Sequence, residues 1–119
     1  MMKSVFAASA LVVLASGPAL AWERVTTEQQ FRDRVVDRQI VTDEGNTYTS
    51  HADGRVTGTW QGHRMVGGWQ WHQGFWCRNV RVGQGQETGT DCQVIELQGN
   101  QLRSTREQGR GTSGVGTIQ

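Results

Sequence analysis

The sequence predicts a mainly β protein: an antiparallel up-and-down meander of about eight short strands, closed into a barrel or left as a rolled sheet, with one short N-terminal helix. Three observations lead there. The chain of 119 residues suits a single domain, and its 16 Gly against 1 Pro mark frequent tight turns. Between those turns apolar and polar residues alternate, instead of recurring every three or four positions. Finally, 5 Trp in a chain only 35 % hydrophobic mean that aromatic rings must supply much of any core.

Residues 1–21 read as a signal peptide. Lys3 supplies a positive charge, Val5 to Ala15 form an apolar run, Gly17-Pro18 break it, and Ala19-Leu20-Ala21 match the small-x-small cleavage pattern. Cleavage is expected between Ala21 and Trp22, leaving 22–119 as one domain in the periplasm or outside the cell. The apolar run is shorter than a membrane span of about 20 residues, so no stable membrane insertion is expected after cleavage.

A helix is expected over about 27–37. Thr26 or Thr27 can cap it, with Gln29 or Gln30 three positions on to complete a capping box. Phe31 and Val35 share one face, Val36 stands beside them, and balanced charges occupy the rest, so the helix lies on or plugs something other than a membrane. From Ile40 the pattern is β throughout. Asp43 to Asn46 turn the chain, and Asp53-Gly54 join Thr47–His51 to Arg55–Trp60 as a hairpin. Gln61-Gly62 lead into His63–Trp71, where Met65, Gly67, Trp69 and Trp71 share a face by alternation. His72 to Gly74 turn into Phe75–Val82, a loose connection at 83–87 precedes Thr90–Leu97, and Gly99-Asn100 lead into Gln101–Glu107. Thr112–Ile118 can close the set.

Cys77 and Cys92 are the only 2 cysteines, an even count behind an export signal. Neither lies in a CxxC, and no His or third Cys stands at ligand spacing, so a structural disulfide is expected over a metal or redox pair. Closing a loop of this size contributes roughly 3 kcal/mol. If the two face each other across a hairpin, Phe75 falls opposite Val94 on the face of the disulfide.

The run His51-Ala52-Asp53-Gly54-Arg55-Val56-Thr57-Gly58-Thr59-Trp60, the pair Gly68-Trp69, the run Phe75-Trp76-Cys77-Arg78 and the run Asp91-Cys92-Gln93-Val94 together resemble a family of small secreted bacterial proteins of unknown function. The resemblance covers about residues 26–107 and implies a lipocalin-like β-barrel. Similar short exported sequences sometimes carry a dihydrodipicolinate reductase label. The shared motifs are turns, core aromatics and the cysteine pair, and they imply no catalytic residue.

The residues themselves do not support the reductase label. Gly109 to Gly114 match G-x-G-x-x-G, but only Val115 to Gln119 follow. The dinucleotide fingerprint needs a helix, a further strand and an acidic residue about 20 positions on. A glycine-rich turn between the last two strands accounts for the match, and no cofactor is expected. His51, His63 and His72 form no metal set, because His63 and His72 would sit at opposite ends of one strand, roughly 30 Å apart. Ser50, Ser104 and Ser113 lie outside any nucleophile elbow. Asp53, Glu87, Asp91 and Glu96 fall mainly on turns beside Arg, as solvated surface carboxylates do. No catalytic residue is assigned, and the formal net charge of +1 argues against a nucleic-acid partner.

Trp60, Trp69, Trp71 and Trp76 remain. They lie on three successive expected strands and can meet on one side of the sheet, either as core or as the wall of a ligand pocket. The resulting expectation is an exported, non-catalytic domain that binds a small apolar or amphipathic molecule or an envelope protein. One alternative is an inhibitor of an exported protease or of lysozyme, with Trp22 to Thr27 as its inserting arm. The other is an enzyme, as in the reductase label.

Overall fold

The computed structural model describes residues 21–119. Apart from Ala21, the leader expected over 1–21 lies outside the described residues. The elements run β1 (Glu23–Arg24), α1 (Glu28–Arg34), β2 (Gln39–Thr42), β3 (Thr47–Ser50), β4 (Arg55–Trp60), β5 (His63–His72), β6 (Phe75–Val82), β7 (Asp91–Gln98), β8 (Gln101–Thr105), α2 (Arg106–Gly109) and β9 (Ser113–Ile118). From β2 to β9 each strand pairs antiparallel with the one before it, and β9 returns to β2 with Ile118 opposite Ile40. The result is a closed eight-stranded barrel with one extra strand. Closure satisfies strand edges that an open sheet would expose.

The turns explain why consecutive strands zip together. Gln61-Gly62 and Gln73-Gly74 each place both residues at positive φ. Such two-residue connections match the right-handed twist of the flanking strands. Inside the wall, glycine permits tight curling. A Cβ at Gly67 would stand 2.7 Å from the Val80 Cα, and one at Gly116 would stand 2.7 Å from the Ile40 Cγ2.

The two ends of the barrel differ. At one end α1 acts as a plug. Thr27 caps it, accepting from the Gln30 N–H while the Gln30 side chain accepts from the Thr27 N–H. Phe31 and Val35, each 1 % exposed, point into the barrel. The Phe31 ring lies 5.2 Å from Trp69, 5.3 Å from Trp71 and 6.4 Å from Trp76. Arginines tie the plug region to the turns of this end. Arg24 donates to the Gly74 carbonyl, Arg32 to Ala52 and Arg34 to Gly99. Besides α1, which is shorter than the expected 27–37, the described residues hold the one-turn α2 at the opposite end.

The wall has three short seams, β2–β3, β2–β9 and β6–β7, and the last carries the disulfide. Strands β6 and β7 pair only through Trp76–Arg78 and Asp91–Gln93, with Cys77 opposite Cys92 and bonded to it. Beyond Gln93 the edge of β7 is taken over by β1, with Glu23 opposite Leu97 and Arg24 opposite Glu96, and the Val25 N–H donates to the Ile95 carbonyl. Trp22 lies under Arg103, 4.5 Å from guanidinium carbon to ring centroid, while Arg103 grips Glu96 with two hydrogen bonds. The disulfide therefore staples one of the three places where neighbouring strands share only three residue pairs, the others being β2–β3 and β2–β9.

Removing the plug ring tests this account. Phe31→Ala is expected to cost about 3–5 kcal/mol of unfolding free energy in urea titration. A cost below about 1 kcal/mol would mean that α1 does not seal the core.

Candidate ligand cavity

At the end opposite α1 the barrel is not filled. A cavity of about 510 Å³ opens there, within the range of about 300–1,000 Å³ usual for ligand sites. Its walls include Val56, Trp60, Met65, Trp76, Val80 and Val82, which reach it because even-numbered residues of β4 and β6 and odd-numbered residues of β5 point inward. Trp76 forms the boundary between plug and cavity. It touches Phe31 on one side and stacks on Tyr48 on the other, with ring centroids 5.8 Å apart.

The four tryptophans singled out from the sequence divide into two pairs. Trp60, half-buried, and Trp76, 5 % exposed, line the cavity. Trp69 and Trp71 stand against the Phe31 ring, where the Trp69 indole N–H donates to the His51 carbonyl at 2.8 Å. Both of these also border a second, more open groove of about 890 Å³ flanked by Glu28 and Arg32 of α1. The helix thus separates two rings of the cluster from the cavity holding the other two.

Polar groups stand among the apolar walls, and the sequence reading did not single them out. Arg78, Gln93 and Tyr48 face the cavity, and Arg106 stands at its mouth beside Ser104. The signal was present in the alternation: Arg78 lies between Trp76 and Val80 in the inward register of β6, an uncommon place for a charge. Its one hydrogen bond among the described residues runs to the Thr88 hydroxyl at 3.3 Å. Burial, and then the neighbouring Arg106, lower the Arg78 pKa, while Asp91 and Tyr48 act in the opposite sense. Burial pushes the Tyr48 phenol well above its ordinary value, with Arg78 offsetting part of the rise. Two buried polar atoms have no partner among the described residues: the Trp76 Nε1 and the Ser50 hydroxyl.

Of the remaining chemistry-bearing residues Ser104 and Ser113 line the cavity, while the histidines and Asp53, Glu87, Asp91 and Glu96 are not among its lining residues. His51 bonds Thr57 at 2.6 Å, and His63 and His72 stand exposed at the two ends of β5. Among the described residues no three His, Cys, Asp or Glu side chains are placed to hold a metal. Asp53 pairs with Arg55 at 2.7 Å, whose hydrogen bonds hold its carboxyl below the usual range. Glu87 lies 3.9 Å from Arg81, and Glu96 pairs with Arg103. Asp91 accepts from the Gln93 amide and from the Glu107 N–H. The glycine run 109–114 links α2 to β9, and a strand, not a helix, follows it. Such a connection does not present a helix N-terminus to a pyrophosphate.

Neither protein-family models, curated proteins nor solved structures gave a match to this chain.

Tyr48 is the only tyrosine and gives a clean pH readout. Below its ordinary value of 10.0 the phenol is neutral in the folded and unfolded chains alike. Above that value only the unfolded chain releases the proton, so stability falls as pH rises. Absorbance titration near 295 nm should show no phenolate in the folded protein until it unfolds, and Tyr48→Phe should remove this part of the alkaline destabilisation. Phenolate formation at the ordinary pH without unfolding would show that the ring is not desolvated.

Proposed function

We propose that this chain is an exported, non-catalytic, lipocalin-like binding domain that takes a small amphipathic molecule into the open half of its barrel. The observation that carries this reading is the cavity of about 510 Å³, walled by Trp60, Trp76, Met65, Val80 and Val82 and left open at one end while α1 seals the other. An apolar body can replace water along these walls, with roughly 25 cal/mol gained per Å² of apolar surface removed from water. The polar groups at Arg78, Gln93 and Arg106 would orient its head.

Export is supported by the leader pattern of residues 1–21 together with the Cys77–Cys92 disulfide, a bond that persists in oxidising compartments. Membership of the family of small secreted barrels is proposed on the motifs given above. The cavity favours a small molecule over the inhibitor reading, because the arm that would insert into an enzyme is engaged on the barrel. Glu23 and Arg24 pair with β7, Val25 is 4 % exposed, and Trp22 packs under Arg103.

Titration with 1-decanol, followed by Trp fluorescence and calorimetry, tests the reading. Saturable one-to-one binding is expected, and Val82→Trp, which puts a large ring into the half-buried mouth, should weaken it by roughly tenfold or more. Absence of saturable binding, or equal affinity in the filled variant, would exclude the cavity as the site.

A further inference from the structure

We infer that the cavity selects an anionic amphiphile, an apolar chain or ring carrying one carboxylate, and holds the carboxylate head at Arg78 with Arg106 beside it. The inference rests on the cavity reading above and adds the charge of the ligand.

Its basis is a guanidinium with no carboxylate in direct contact, Asp91 acting on it only from beyond ion-pair distance. Arg78 is 9 % exposed and lies on the cavity wall. Among the described residues no carboxylate is within ion-pair distance of it, although Arg32, Arg55, Arg81 and Arg103 each have one. Its cross-strand partner is Asp91, but the two oxygens of that carboxylate are engaged by the Gln93 amide and the Glu107 N–H. The single contact to the Thr88 hydroxyl leaves most of the five guanidinium N–H donors of Arg78 unanswered. A buried charge of this kind is costly unless paired and hydrogen-bonded.

Two further features point the same way. The second cation, Arg106, also lines the cavity and likewise forms no ion pair among the described residues. It is close enough to depress the ionisation of Arg78, so the pair raises the positive potential of the pocket instead of neutralising it. The floor beside them is apolar ring surface, Trp76 stacked on Tyr48, which suits the body of such a ligand. The guanidinium of Arg78 is matched by an acceptor-only head, and a carboxylate meets a guanidinium with two parallel bonds. The acidic residues of the region, Asp43 and Glu44, are exposed on the β2–β3 turn at the mouth, which favours a head lodged inside at Arg78 over one left at the rim.

Three ten-carbon probes separate the possibilities: decanoate, 1-decanol and decyltrimethylammonium, each titrated into the native protein and into Arg78→Gln. Decanoate is expected to bind roughly tenfold or more tighter than decanol. Arg78→Gln should bring decanoate to the decanol level while weakening decanol far less, and the ammonium probe should bind weakest to the native protein. If circular dichroism shows that Arg78→Gln does not fold, Arg106→Gln at the exposed mouth decides, with decanoate weakened several-fold more than decanol. Decanol bound as tightly as decanoate, or decanoate insensitive to the variant that folds, overturns the charge selectivity and leaves the cavity reading intact. No binding of either probe overturns both.

Discussion

The return of β9 onto β2 is the pairing on which the rest of the molecule depends. Without Ile118 opposite Ile40 and Thr117 opposite Val41, the eight strands would form a rolled sheet with a floor but no enclosed interior. Closure creates an inside, and an inside must be filled by side chains, by solvent or by a guest. The amino-acid composition makes complete filling difficult. Large aliphatics are scarce, inward positions at 58, 67 and 116 are glycine, and the tryptophans are gathered on strands β4 to β6. The chain fills one half by inserting Phe31 and Val35 from α1, and the other half stays open. The cavity is what remains when a barrel of this circumference is packed from a single end.

That asymmetry separates structural aromatics from those free to meet a ligand. Trp69 and Trp71 spend their surface on Phe31, and they would be costly to rearrange. Trp60 has no such partner, and Trp76 serves both sides. A rigid floor made of a stacked indole and phenol needs little ordering when a guest arrives, which lowers the entropic cost of binding. The polar groups fit this division: Arg78 lies just beyond the floor, where a charge can be reached from the cavity and yet is shielded from bulk water.

Much of the fold was legible in the sequence, for identifiable reasons. Alternation exposed the faces of β5 and β6, and Asp53-Gly54, Gln61-Gly62 and Gln73-Gly74 marked three hairpins. The register that set Cys77 opposite Cys92 is the one observed. Elements built from few residues were not legible. Strand β1 spans two residues and exists because β6 leaves the edge of β7 unpaired beyond Gln93, which is a tertiary cause. Similarly, the last expected strand but one was drawn to Glu107, whereas β8 stops at Thr105 because Glu107 and Gln108 adopt positive φ without a glycine to announce it. At the site, the tryptophans were visible as a group but their division was not, since it depends on which end the helix enters. Arg78 was overlooked because a charged residue invites a solvated reading. Only its inward parity contradicts that reading.

The seam between β6 and β7 gives the disulfide a role beyond lowering chain entropy. Cys77 sits between Trp76 and Arg78, and Cys92 between Asp91 and Gln93, so the residues on either side of the bridge supply the floor and the buried cation. Three ladder pairs join the strands there, and the sulfur bridge adds a covalent tie to them. In the reduced chain those three backbone pairs alone would hold the floor ring Trp76 and the cation Arg78 against β7. The bridge thus couples the covalent state of the wall to the position of the two groups that border the open half of the barrel.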